Sequence, residues 1–367
     1  DEATLELRGT QTKIERVPIV ANLRHDRLDA VVTEEALDQV AAGALAPGAA
    51  GFPFAAELAF AHRLAKALKA RREVVRGKPE TFNRPDYAFK LEREAAPAHS
   101  QEPTGNERVT ITPRRRGAPL DLVVAEAMIL ANCTWGGWLA EHGVPGIYRS
   151  QASMAPGIKV RMGVKPMPHA GMGVPQYSWA TSPLRRCVDL VNQWQIIAVA
   201  RQGRTAALVA PFKPRDAALF ALISAFDAAH AAYNDFQNGI ERFWTLRWLE
   251  QNGVTELEAT LLKPGVARAE TLPLVFTLPG TDHLARGTRV RARIAGMDLL
   301  TLDLHATLAA SLAVPGAAAA PPPDAADDEE DAALAAGPLH LAIDDAAAEE
   351  PAAGEPVAAA VGGGAAA

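Results

Sequence analysis

The hydrophobic period of this chain changes at Gly253, and that change sets how it can fold. Arg215–Gln251 reads as a nearly continuous helical region, with a break expected near Asn238-Gly239. Ala218, Leu219, Leu222, Ile223, Phe226 and Ala229 form one apolar face, and Phe236, Ile240, Phe243, Trp244, Leu246 and Leu249 continue it. After Gly253 the pattern becomes short apolar runs between Gly and Pro: Leu257–Leu262, Thr271–Thr277, Arg289–Ile294 and Leu299–Leu304. Four or five such strands in about fifty residues predict a small β-barrel of the OB type.

Upstream, helices are predicted at Thr33–Ala42, Phe54–Glu73 and Pro119–His142. Short strands are expected within residues 4–32 and at Phe82–Leu91, Arg108–Pro113 and Gly146–Arg149, and Thr205–Val209 reads as a strand or turn. The basic face of Phe54–Glu73, with Arg71 and Arg72, reads as solvated surface. The fold class is therefore α+β. A helix-rich portion covers residues 1–252, the barrel covers 253–310, and a tail covers 311–367. From Val314 the chain is rich in Ala, Pro, Gly and acids and too poor in large apolar residues to bury a core, so the tail is expected to be disordered. Asp327–Asp331 in that tail has nothing to fix metal-ligand geometry.

The net charge of −6 hides an asymmetry. From Ser311 onward there are eleven acidic residues and no Lys or Arg, so the rest of the chain carries +5. Such a body suits a polyanion, though many ordinary proteins share the balance. The two cysteines, Cys133 and Cys187, lie in helical apolar patterns and read as core; so few favour a reducing, cytoplasmic setting. No signal peptide is visible and no apolar run reads as a membrane span, which predicts a cytoplasmic monomer without membrane contact. The first residue is Asp, which reads as a fragment or a processed piece.

The most chemically pointed stretch is Tyr177–Gln195. Ser182 and Pro183 suit an N-cap and first turn, and Leu184, Cys187, Val188, Val191 and Trp194 follow at helical spacing. Arg185 and Arg186 then fall in the first turn, where the helix dipole is already positive. Either an anion such as phosphate completes a site there, or the arginines are solvated or paired with Asp189. Glu126 is an isolated acid inside an apolar helix, so it either faces the same site or forms a structural ion pair. Arg114, Arg115 and Arg116 precede that helix and read as a phosphate contact or a solvated run. Arg289, Arg291 and Arg293 alternate on one strand face, as an RNA contact or as plain exposed surface. His169, in an irregular loop, reads as incidental. No phosphate-binding Gly loop, nucleophile elbow, zinc spacing or tight carboxylate cluster is visible in the part expected to be ordered.

One family orders its motifs in this way. Arg84-Pro-Asp-Tyr-Ala-Phe89, Ala125–Asn132, Gly146-Ile-Tyr-Arg149, Tyr177, Thr181-Ser-Pro-Leu-Arg-Arg186, Asp189–Asn192 and Glu241–Leu249 follow one another in a series that resembles the C-terminal part of the RNase II/RNase R (RNB) catalytic domain. The resemblance covers about residues 4–250, and residues 255–307 are similar to the family's trailing OB-type domain. It implies a processive 3′-to-5′ exoribonuclease that hydrolyses single-stranded RNA to nucleoside 5′-monophosphates, with Mg²⁺ held by aspartates upstream of Asp1. It implies that Arg185 contacts the scissile-end phosphate, that Glu126 lies near the terminal nucleotide, and that Tyr177, Ser182, Arg186 and Asp189 shape the RNA pocket. The alternative is a non-catalytic RNA-binding relative. Cys187, Gln193 and Ala125 stand where the family commonly has Tyr, His and Glu, and Ala30 stands where a Tyr is expected near the RNA end.

Overall fold

The computed structural model describes residues 1–80, 86–92, 107–114, 118–155 and 158–312. Its elements in order are α1 (His25–Leu28), α2 (Glu34–Ala41), α3 (Ala55–Arg76), β1 (Asp86–Glu92), β2 (Arg108–Arg114) and α4 (Pro119–Glu141). Then come β3 (Tyr148–Ser150), β4 (Arg161–Gly163), α5 (Cys187–Gln202), α6 (Ala206–Val209) and α7 (Ala217–Gln251). Five strands complete it: β5 (Glu256–Lys263), β6 (Val266–Ala269), β7 (Val275–Thr277), β8 (Arg289–Asp298) and β9 (Asp303–Ser311). The expected α+β class holds.

Local chemistry explains several boundaries. Thr33 caps α2 by accepting from the Ala36 amide at 3.2 Å. Pro119 opens α4, where its missing N–H costs nothing. Asp216 caps α7 by accepting from Ala218 N at 2.9 Å. The helix then runs unbroken through Gly239, against the expected break, because a single glycine weakens a helix without interrupting its hydrogen bonds.

The helices pack around small separate cores. Val32, Leu37, Val40, Phe52, Ala55 and Ala59 bury the junction of α2 and α3. Leu139, Val144, Ala180, Ile196 and Val199 join α4 to α5, while Ile147, Val188, Val191, Leu219 and Ile223 join α5 to α7. The largest core lies in the C-terminal sheet, whose strands run β7-β6-β5-β8-β9, all antiparallel. Leu246 and Leu249 of α7 enter that core beside Leu257, Leu261, Phe276 and Val290. The sheet curls far enough that β7 also meets β9.

Several expectations fail for physical reasons. Residues 5–24 contain no strand, since no segment among the described residues pairs with them. Thr205–Val209 is helical. Leu299–Leu304 is mostly a turn, with Leu302 at φ 58°, and the last strand begins at Asp303. Phe236 and Ile240, expected on a buried face, are exposed. Cys187, expected in the core, is exposed as well, and Cys133 is partly buried. Helix α4 is long and apolar enough to cross a membrane by length and composition alone, which the sequence reading did not anticipate. Its Glu126 and Asn132 are nevertheless buried, each in contact with other elements. Residues 115, 116 and 313–367 lie outside the described residues, and with them the Arg115 and Arg116 expectation and that of a disordered tail.

Candidate functional site

The segment Tyr177–Arg186 crosses between α4 and α5 and is held by side-chain amides from both. Asn132 of α4 accepts from Ala180 N at 3.0 Å and donates to the Tyr177 hydroxyl at 3.2 Å and the Thr181 hydroxyl at 3.3 Å. Asn192 of α5 donates to Trp179 O at 2.7 Å and also bonds both backbone groups of Ile147. Gln193 donates to Ala180 O at 2.6 Å. Three amides inside or beside apolar helices thus supply the partners a buried loop backbone lacks.

The arginine pair does not sit in the first turn of the helix. Cys187 begins α5, and residues 182–186 form a separate turn in which Ser182 O accepts from the amides of Arg185 and Arg186 at 3.2 and 3.1 Å. Ser182 therefore acts as a turn residue, and its side chain does not cap the helix. The brace is Asp189, fully buried, which accepts from Ser182 N at 2.8 Å and from Arg186 Nε and Nη2 at 2.8 and 2.6 Å. A carboxylate in the first turn of α5 also suits the helix dipole. Arg186 is thereby neutralised, and Arg185 is left exposed on the rigid turn.

Beside this turn, the guanidinium carbons of Arg149 and Arg186 each lie 4.0 Å from the centroid of the Trp179 ring. Phe226 meets that ring edge-on at 6.4 Å. Arg149 reaches this position because Arg149 N donates to Tyr177 O at 2.8 Å and Tyr148 bridges to Ser178. Burial and the neighbouring Arg186 both lower the Arg149 pKa, against pulls from Tyr177 and Asp227. Next to it His169 packs against Tyr177 with ring centroids 6.1 Å apart. His169 is buried, its Nδ1 has no partner among the described residues, and burial followed by the Arg149 charge pushes its pKa down to about 4. It is neutral at pH 7. Burial likewise pushes the Tyr177 hydroxyl up and the Cys133 thiol up to about 12, which makes Cys133 a poor nucleophile at neutral pH.

Glu126 lies elsewhere in the interaction network. It is 2 % exposed and forms a two-pronged ion pair with Arg72 of α3, through Nε at 3.0 Å and through Nη2. Arg72 also donates to Glu80 at 2.9 Å and to Met172 O at 2.7 Å. Burial opposes the Arg72 charge, but the two carboxylates outweigh it and raise its pKa. Gly173 makes the packing possible: at φ +66° a Cβ there would stand 2.2 Å from Arg72 O. Glu126 is thus engaged by Arg72, which the sequence reading had placed on a solvated face, and not by Arg185 or Arg186.

The strand arginines are neutralised too. Arg289 pairs with Glu270 at 2.6 Å and Glu258 at 3.2 Å, Arg291 with Glu258 at 3.4 Å, and Arg293 with Glu256 at 2.9 Å. The register of β5 against β8 sets Glu256 opposite Arg293 and Glu258 opposite Arg291, so the charges match by strand pairing. Arg114 ends β2. The structure thus brings Tyr177, Ser182, Arg185, Arg186 and Asp189 together along one segment and its helix, while Glu126, Arg289, Arg291 and Arg293 bond to other partners. The sequence reading singled out neither Trp179 nor Asn132 and gave Arg149 no role; the only signal was their place in the quoted motifs or beside them.

Residues 158–202 match the RNB domain family. An uncharacterized ribonuclease of Synechocystis sp. is 35% identical over 101 residues, covering 22% of this chain and 15% of that protein. Among solved structures, the Dss1 exoribonuclease of Candida glabrata superposes with a TM-score of 0.57 at 19% identity, over 74% of this chain and 39% of that one. Apo RNase R of Mycoplasma genitalium gives 0.54 at 12% identity, over 68% and 49%. The same RNase R in complex with double-stranded RNA gives 0.53 at 12% identity, over 75% and 54%. The chain has the RNB-type ribonuclease fold, and the resemblance read from its motifs is borne out. It spans about half or less of the length of these relatives.

Proposed function

We propose that this chain is the RNA-gripping part of a 3′-to-5′ exoribonuclease that shortens single-stranded RNA to nucleoside 5′-monophosphates. The observation that carries this reading is the turn 182–186, in which Asp189 neutralises Arg186 and holds the backbone while Arg185 stays exposed. A guanidinium on a rigid turn, with no carboxylate in ion-pair range among the described residues, suits a phosphodiester at the reacting end of a strand. There Arg185 stabilises the charge that builds on the phosphate oxygens in the transition state. The curled sheet β5–β9 fits an OB-type module, and a cytoplasmic monomer fits the composition.

Mg²⁺ is the ion this chemistry implies in the RNB family. Among the described residues no three His, Cys, Asp or Glu side chains converge to hold a metal. The described residues therefore do not fit the ion, and its ligands would have to stand on other chain. The second reading is an RNA-binding relative that does not hydrolyse; a tight Asp cluster upstream of Asp1 would decide for the enzyme.

The test is a Mg²⁺-dependent assay of the whole protein on 5′-labelled single-stranded RNA. The Arg185→Ala variant is expected to lose about 10²–10³ in turnover, equivalent to ~2–4 kcal/mol of transition-state stabilisation, with a much smaller loss of RNA affinity. Equal losses in both would support binding without chemistry. No turnover by the unmutated protein would rule out the enzyme reading.

A further inference from the structure

The arginines in and around the interior of this fold can be sorted by what answers their charge. Arg72 meets two carboxylates and a carbonyl. Arg186 meets Asp189, and Arg242 donates to two backbone carbonyls at 2.7 Å each. Arg149 differs. It is half-buried and stacked on Trp179, whose ring also carries the Arg186 guanidinium, yet its own guanidinium makes no hydrogen bond or ion pair among the described residues. Asp227, an exposed residue of α7, attracts it through space without reaching ion-pair distance. A guanidinium carries five donors and cannot shed its charge, so holding it there unanswered is costly. His169 adds a second unanswered polar atom next to it, the buried Nδ1.

We infer that Arg149, backed by Trp179, is a phosphate-binding residue for the RNA strand held at the Arg185 turn. This rests on the reading of the chain as an RNA-gripping domain. The placement follows from the backbone: Arg149 and Arg186 share one tryptophan ring, and Arg185 is the residue before Arg186. A phosphate there would receive the planar Arg149 fork while Trp179 holds the guanidinium plane. Arg186, already bonded to Asp189, stays in place as a scaffold. The exposed Arg185 and the half-buried Arg149 then contact the strand from two elements, the turn and β3.

The experiment is fluorescence anisotropy of the whole chain with a single-stranded oligoadenylate, titrated over a range of salt concentrations. Arg149→Met is expected to weaken binding about three- to tenfold. It should also flatten the slope of log affinity against log salt by about 0.7, the signature of one lost single-strand phosphate contact. Arg149→Lys keeps the charge and should keep the slope. Circular dichroism and the melting temperature establish that the variants fold; if Arg149→Met does not, Arg149→Gln takes its place. An unchanged slope and affinity in the neutral variant, with the unmutated chain binding RNA normally, would overturn this inference and leave the RNA reading standing. Failure of the unmutated chain to bind RNA would overturn both. A variant that weakens binding of adenosine 5′-monophosphate and leaves oligoadenylate binding and its slope intact would also overturn it, since the contact would then belong to free nucleotide.

Discussion

Two sets of arginines in this protein look alike in sequence and differ in structure. Arg289, Arg291 and Arg293 line one face of β8, and each finds a glutamate on β5. Around Trp179, Arg186 has its carboxylate, whereas Arg149 and Arg185 have no ion-pair partner among the described residues. Both sets are dense in positive charge, but only the second presents a field that an anion can answer. Counting arginines does not locate a polyanion site; what matters is which of them the fold has already neutralised.

The largest expected effect tests the brace on which this contrast depends. Asp189→Ala removes a buried carboxylate and leaves Arg186 without its partner and Ser182 N without an acceptor. Loss of one member of a buried pair costs about 3–5 kcal/mol, so chemical denaturation should show a loss of that size together with loss of RNA binding. A variant of unchanged stability would mean that the turn does not need Asp189.

Next comes a pH effect at the neutral edge of the Arg149 cluster. His169 has a folded pKa of about 4, below the ordinary value near 6.5. Between these values the unfolded chain holds the proton and the folded chain does not, so stability falls as pH drops from about 6.5 to 4 and is level above. After allowance for solvent screening the loss is on the order of 2 kcal/mol, and His169→Phe should remove that part of the slope. His62, also buried with a lowered pKa, contributes with the same sign, so the comparison is between the variant and its parent. Identical pH–stability curves would remove His169 from the account.

The third test works on β8. Replacing Glu256, Glu258 and Glu270 together by Gln should unmask the three arginines and create salt-sensitive RNA binding at the sheet. Unaltered RNA affinity at low salt would show that geometry as well as neutralisation keeps the strand from binding. The smallest expected effect is Arg291→Ala, within about 0.5 kcal/mol of the parent in stability and equal to it in RNA affinity.

How much was legible beforehand follows from where each signal resides. The helix Pro119–Glu141 and the strand at Arg108 follow from local pattern, and the sequence showed them nearly to the residue. Ser182-Pro183 is a good helix start locally, yet residues 182–186 form a turn, because the buried Asp189 stabilises another conformation by bonding back to Ser182 N. A basic helix face usually points to solvent, and nothing local to Arg72 shows that Glu126, fifty-four residues away, meets it. The role of Arg149 depends on the ring of Trp179 and on what fails to pair with it, neither of which any period in the sequence encodes. The salt-bridged face of β8 was half legible: alternation shows three arginines on one side, but only the register of β5 reveals their partners.

Helix α7 has a mechanical consequence. It contains 35 residues, so it is a rod of ~52 Å. Its far end is bolted to the sheet by Arg242, which donates to Leu302 O and Val275 O, and to β2 through Gln251, which accepts from Val109 N and donates to Glu107 O. Its near end packs on α5 through Leu219 and Ile223. A one-degree tilt at Asp216 would therefore carry the sheet end about 0.9 Å sideways, as on a lever arm of that length. Any strain that a strand exerts on the arginine turn has a stiff path to the other end of the molecule.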